Sequence, residues 1–150
     1  MINLNLGSGS NRRQDYISVD LYDKAADLRL DITKTLPFDN DSVDNIYACH
    51  VIEHLSREEL SNCLPDWVRI LRPGGAIEIR CPDIVKVCEQ MISDPASLTN
   101  HQRLYGLQNS PGEYHKSGHT QQSLTIDLMG LDAEVLAPSS DYELHMRFTK

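Results

Sequence analysis

Ile2, Leu4 and Leu6 alternate with Asn3 and Asn5 at the start of the chain, the period-two pattern of a strand with one covered face. The other face of that strand is unusually polar. "YISVDL", ending its strand at Asp20, and "LRLDI", ending near Asp31, predict two more short strands joined by the polar turn "YDKAAD". After the turn "TLPFDNDSV", the run "NIYACHVI" is apolar enough for a buried central strand.

Further along, the period lengthens. Ser56 followed by Glu59 is a capping box, so a helix is predicted from Arg57 with Leu60 and Leu64 facing inward. Pro65 predicts a break, with Trp67, Val68 and Leu71 packing from a second segment. "RPGG" at 72–75 turns the chain into the strand "AIEIRC". Ile84, Val87, Cys88 and Met91 recur at helical steps, and another helix is predicted around Pro95 to Tyr105. Residues 106–119 read as a long loop, Thr120 caps a helix to about Met129, and "AEVLA" and "YELHMRF" predict a terminal antiparallel hairpin. Strands feeding helices through short turns indicate one α/β domain over residues 1–150, an open sheet with a largely parallel centre.

Composition narrows the partners. A formal charge of −8 on 150 residues disfavours nucleic acid, whose affinity comes largely from Lys and Arg on phosphates. No apolar run approaches the roughly 18 residues of a membrane span, so no membrane partner and a cytoplasmic location are expected. Cys49, Cys63, Cys81 and Cys88 show no C-x-x-C spacing and read as reduced packing residues.

In an open α/β sheet, ligands bind beyond the carboxyl ends of the strands. The residues there are Gly7, Ser8, Gly9, Asp20, Leu21, Asp31, Ile32, Cys49 and His50. A dinucleotide fits poorly: G-x-G-x-x-G needs a third glycine where Arg12 stands, and Asp20 follows Gly9 by only 11 residues. "SNRRQD" also leaves no room for the helix whose N-terminus normally holds a pyrophosphate.

The blocks "LNLGSGSN", "ISVDL", "LRLDITKTLPFDNDSVDNIYACHVIEHLS" and "WVRILRPGGAIEIRCPD" together resemble the class I S-adenosylmethionine-dependent methyltransferases, in the small type 11-like group. The resemblance implies a Rossmann-like sheet of order 3-2-1-4-5-7-6 with strand 7 antiparallel. It implies S-adenosyl-L-methionine as cofactor, a ligand without the phosphates that demand a long helix dipole. It places Gly7, Ser8 and Gly9 against the methionine portion, Asp20 with Leu21 at the ribose, Asp31 and Ile32 beside the adenine, and Cys49 and His50 facing the sulfonium and the acceptor. The chain departs from the family in its shortened or absent first helix. That leaves the Asn3 and Asn5 face open to a second copy, and a homodimer is predicted.

Methyl transfer needs alignment above all, and His50 is the candidate acid-base residue should the acceptor carry a proton. "H-V-I-E-H" lacks the H-E-x-x-H arrangement of a zinc site, so no metal is expected. Tyr114, His115, Lys116 and His119 cluster in the long loop as a candidate lid. The expected function is methyl transfer to a small molecule, oxygen favoured over nitrogen. The alternative is a noncatalytic cofactor-binding or partner-activating subunit.

Overall fold

Residues directly opposite one another on paired strands share a face of the sheet, and the register sorts this chain into one apolar and one polar surface. In the computed structural model, which describes residues 1–150 apart from the side chain of Pro111, the strands are β1 (Asn3–Leu6), β2 (Ile17–Val19), β3 (Val43–Cys49), β4 (Leu71–Pro82), β5 (Asp132–Val135) and β6 (Glu143–Thr149). They form one sheet of order β2-β1-β3-β4-β6-β5, parallel from β2 to β4, with β6 antiparallel to both neighbours. The helices are α1 (Arg57–Ile70), α2 (Ile84–Ser93), α3 (Leu98–Tyr105) and α4 (Gln121–Asp127).

Leu4 pairs with Ile17 and Ile46, Ile46 with Ile77, and Ile77 with Phe148. Two residues on, Leu6, Val19, Ala48, Ile79 and Met146 repeat the row. Leu60, Leu64, Trp67 and Ile70 of α1 and Leu124 of α4 complete the core that these rows build. Each such side chain contributes roughly 1.5–3 kcal/mol on burial. The opposite rows are Asn5, Ser18, Tyr47, Glu78 and Arg147, then Asn3 and Asn45.

The absent first helix is replaced by a loop. Residues 8–16 fold over the polar face, where Asn5 donates its side-chain amide to the Asn11 carbonyl at 2.8 Å and Asn3 donates to that of Asp15 at 3.1 Å. Both asparagines are buried, so the open face on which the homodimer expectation rested is already occupied by the chain itself. Arg13 lies over the rings of Tyr47 and Tyr16, 4.0 and 4.6 Å from their centroids.

Several boundaries differ from expectation. "LRLDI" forms no strand and contributes one parallel bridge, Leu28 to Val19, so the expected seven-strand order loses its outermost member. The cause is local: the Asp27 carboxylate takes the Ser18 N–H and hydroxyl at 2.8 and 2.6 Å, occupying the donor that a neighbouring strand would use. Helix α1 runs unbroken through Pro65, because Pro65 and the Ser61 carbonyl it cannot satisfy both lie on the exposed side while Cys63, Leu64 and Trp67 anchor the other. Strand β3 stops at Cys49, since His50 turns the chain with φ +54°. Cys88 is exposed rather than packed, and all four cysteines are free thiols. Helix α4 ends at Asp127, slightly short of Met129.

Candidate active site

A cleft of about 570 Å³ opens at the carboxyl ends of the parallel strands, within the size range of ordinary small-ligand sites. Gly7, Gly9, Asp20, Leu21, Asp31, Ile32 and His50 line it, as do Tyr22, Thr33, Val51, His54, Glu59, Glu113 and Lys116. Ser8 and Cys49 do not. Ser8 is buried beneath the turn, its hydroxyl accepting from Arg12 at 3.0 Å, and Cys49 sits behind His50 at the strand tip.

The glycine turn is shaped by two different needs. Gly7 has φ +60°, and a Cβ there would lie 2.5 Å from a Val51 methyl, so only glycine lets β1 leave the sheet beside Val51. Gly9 has φ +47°, yet a Cβ there would meet nothing within 4 Å. The space above Gly9 is open for a ligand.

Asp20 closes the turn from β2. Its Oδ2 accepts from the Gly9 N–H at 2.8 Å, and its Oδ1 accepts from the N–H groups of Tyr22 and Asp23, each at 2.8 Å. The Ser8 N–H is spent on the Val19 carbonyl at 3.2 Å. Arg12 clasps the turn from outside through the Gly9 carbonyl and the Asp23 carboxylate. A phosphate needs free N–H donors, and here two of the turn's donors are consumed and a carboxylate stands beside them. A cationic, phosphate-free ligand meets no such obstacle.

At the far wall, Asp31 accepts from the Thr33 hydroxyl and N–H at 2.7 and 3.0 Å through one oxygen. The Thr33 hydroxyl, with help from its N–H and Lys34, holds the Asp31 carboxyl below the usual range against the desolvation that raises it. The segment is fixed from beneath. Trp67, fully buried, donates its indole N–H to the Ile32 carbonyl at 3.1 Å, and Arg69 bonds the carbonyls of Leu36 and Phe38. Helix α1 thereby does in side-chain bonds what a third strand would do in ladder bonds.

His50 marks the other end. Its Nδ1 meets Glu53 Oε1 and its Nε2 meets Glu143 Oε1, both at 3.1 Å. The hydrogen bond to Glu53 pushes the imidazole's pKa up, Glu143 adds to it, and both outweigh desolvation. Glu143 in turn pairs with Arg80 at 2.6 Å and with Ser139. Desolvation lifts the Glu143 carboxyl, but Arg80 and Ser139 more than offset it and hold it low. Two carboxylates facing the two ring nitrogens favour the doubly protonated imidazolium, the form that has no lone pair to act as a base.

Residues 106–119 form part of the cleft wall. Ser110, Gly112, Glu113 and Lys116 line it; Lys116 pairs with Glu59 at 3.1 Å, and its N–H donates to the Glu53 carbonyl at 2.7 Å. His119 is not part of any lid: it is wholly buried and bonded to Ser117 at 2.9 Å. His115, half-buried, has its pKa lowered by desolvation. Glu59, read from sequence only as a capping residue, both caps α1 and faces the cleft.

Residues 5–79 match the family model of the methyltransferase domain. An Archaeoglobus fulgidus SAM-dependent methyltransferase is similar over 99% of this chain and 85% of its own, with 16% identity and a TM-score of 0.68. An Aquifex aeolicus SAM-dependent methyltransferase is similar over 99% and 81%, with 13% identity and a TM-score of 0.61. No curated protein matches the chain.

The fold is thus that of the class I methyltransferases. The chain belongs to the methyltransferase domain family, and the two relatives that share its fold are SAM-dependent methyltransferases. Among the described residues, no helix is long and apolar enough to cross a membrane.

Proposed function

We propose that the cleft transfers a methyl group from S-adenosylmethionine to an oxygen of a small-molecule acceptor. The observation that carries this reading is the Gly9–Asp20 closure, which leaves space above the glycines while removing the donors a phosphate would need. In it, the methionine portion lies over Gly7 and Gly9, one ribose hydroxyl donates to the remaining lone pair of Asp20, and the adenine amino group donates to the open oxygen of Asp31, beside Ile32. Leu21 and Tyr22 border the adenosine, and Ser8 and Cys49 act from behind by supporting the turn and the strand tip.

The acceptor enters past His50, His54 and Lys116. The bound cofactor supplies an electrophilic methyl group, and the protein's task is in-line alignment. His50, with both nitrogens committed to Glu53 and Glu143, shapes the wall the acceptor passes and does not remove its proton. An acceptor that is already ionised needs no base, so a carboxylate is favoured over a neutral hydroxyl and over nitrogen. The Lys116 ammonium, which spends only part of its three donors on Glu59, is the group at this end that suits such an anion.

The test is formation of S-adenosylhomocysteine with small carboxylic acids, compared with neutral alcohols and amines. Turnover with the acids supports the reading. Cofactor binding without turnover on any of the three classes favours the noncatalytic subunit, and absence of cofactor binding overturns both.

A further inference from the structure

One buried oxygen has no part in that scheme. The Glu53 side chain is 2% exposed; its Oε1 accepts from His50, while its Oε2 is buried with no hydrogen-bond partner among the described residues. Buried carboxylate oxygens are rarely left unpaired. One donor atom each of Glu53, His54 and His115 lies within 4.8 Å of the other two. We propose that these three residues bind one divalent transition-metal ion of the zinc type.

Both imidazoles are set as ligands. His54 Nδ1 lies 3.2 Å from the Tyr114 carbonyl, and His115 Nδ1 lies 3.0 Å from the Arg103 carbonyl. A carbonyl only accepts, so each Nδ1 carries the hydrogen and each Nε2 keeps its lone pair. Backbone carbonyls that fix tautomer and ring orientation in this way are the usual outer partners of metal-bound histidines. The ring centroids stand 4.8 Å apart at 77°, close enough for one ion to be reached from both rings.

Two imidazoles and one carboxylate select a zinc-type ion over calcium or magnesium, which favour oxygen ligands. Tetrahedral bonds of about 2.0–2.1 Å hold ligands about 3.3 Å apart, a contraction of at most about 1.5 Å here, within reach of side-chain rotation. Three protein ligands leave a coordination position open. His54 lines the cleft, and on the methyl-transfer reading that position faces an oxygen-bearing acceptor. The spacing of "H-V-I-E-H" hides this site, because its second histidine arrives from the 106–119 loop.

The experiment is calorimetric titration of the chelator-treated full chain with ZnCl₂, with Co²⁺ absorption as the spectroscopic counterpart. One equivalent of Zn²⁺ should bind, and Co²⁺ should give visible bands that Zn²⁺ displaces. His54→Asn, His115→Asn and Glu53→Gln should each weaken binding at least tenfold, while His101→Asn, at a histidine outside the trio that bonds the Ser97 carbonyl, should not. Circular dichroism establishes which variants fold, and half-exposed His54 offers the substitution least able to disturb the core. No stoichiometric binding by the native chain, or unchanged binding in folded His54→Asn, overturns the proposal. S-adenosylhomocysteine binding in the same samples separates this outcome from failure of the methyl-transfer reading.

Discussion

The two faces of the sheet are held by different physics. On one, Leu4, Ile46, Ile77 and Phe148 are wholly buried in an aliphatic core closed by α1 and α4. On the other, Asn5, Tyr47 and Glu78 sit in register, and their contacts are hydrogen bonds, an arginine over two aromatic rings and a chain of ion pairs. The apolar face needs volume, and many residues would serve. The polar face needs particular donors and acceptors, each useful only if its partner is in place. The polar arrangement lets this chain dispense with its first helix, since asparagine side chains hold the 8–16 loop where helix packing would otherwise cover the sheet.

The comparison can be broken first from the apolar side. Trp67→Ala should cost about 3–5 kcal/mol by urea denaturation, the largest effect of any change considered, and should free the Ile32 carbonyl at the cleft. Trp67→Phe keeps most of the volume but removes the indole donor; a loss of about 1 kcal/mol, with weakened cofactor binding, would isolate the bond that fixes the adenine wall.

On the polar face, Asn5→Ala should cost about 1–3 kcal/mol, because the carbonyl of Asn11 loses its Asn5 donor. Hydrogen exchange should quicken in residues 8–16 and leave α1 unchanged; uniform quickening would mean that the loop is not separately held. Arg13→Ala should cost less, about 0.5–1 kcal/mol, since its pair with Glu78 is long at 3.4 Å and partly exposed.

The smallest effect is a pH dependence. The Ser18 hydroxyl and then its N–H hold the Asp27 carboxyl below its ordinary value. A carboxyl depressed in the folded state adds stability above its unfolded pKa and loses it as the pH falls through the folded pKa. Asp27→Asn should therefore destabilise at neutral pH, and its difference from the native chain should vanish at the acid end. A difference that persists there would assign the contact to packing.

Much of this was legible in the sequence, and for identifiable reasons. The alternation in β1 and the apolar rows of β3, β4 and β6 predicted the sheet because burial on one face imposes a period of two. That Gly7, Gly9, Asp20, Asp31 and His50 line one cleft was legible because the carboxyl ends of parallel strands come together at one edge of the sheet. The third strand was misread because apolar alternation in "LRLDI" says nothing of Asp27 reaching across to Ser18. Pro65 was misread because the helix's exposed side cannot be told from its buried side at one residue. Lys116 and Glu113 came to the cleft from a long loop, whose path depends on contacts such as Lys116 to the Glu53 carbonyl that carry no local pattern. His119, grouped with them, instead turned inward.

The most direct measurement is a crystal structure of the protein soaked with S-adenosylhomocysteine. Electron density should run from above Gly9, with the ribose against Asp20, to an adenine beside Asp31 and Ile32. Ligand density elsewhere, or a clear cleft at saturating ligand, would contradict the claim that a glycine bend closed by a carboxylate holds an adenosyl group without a helix.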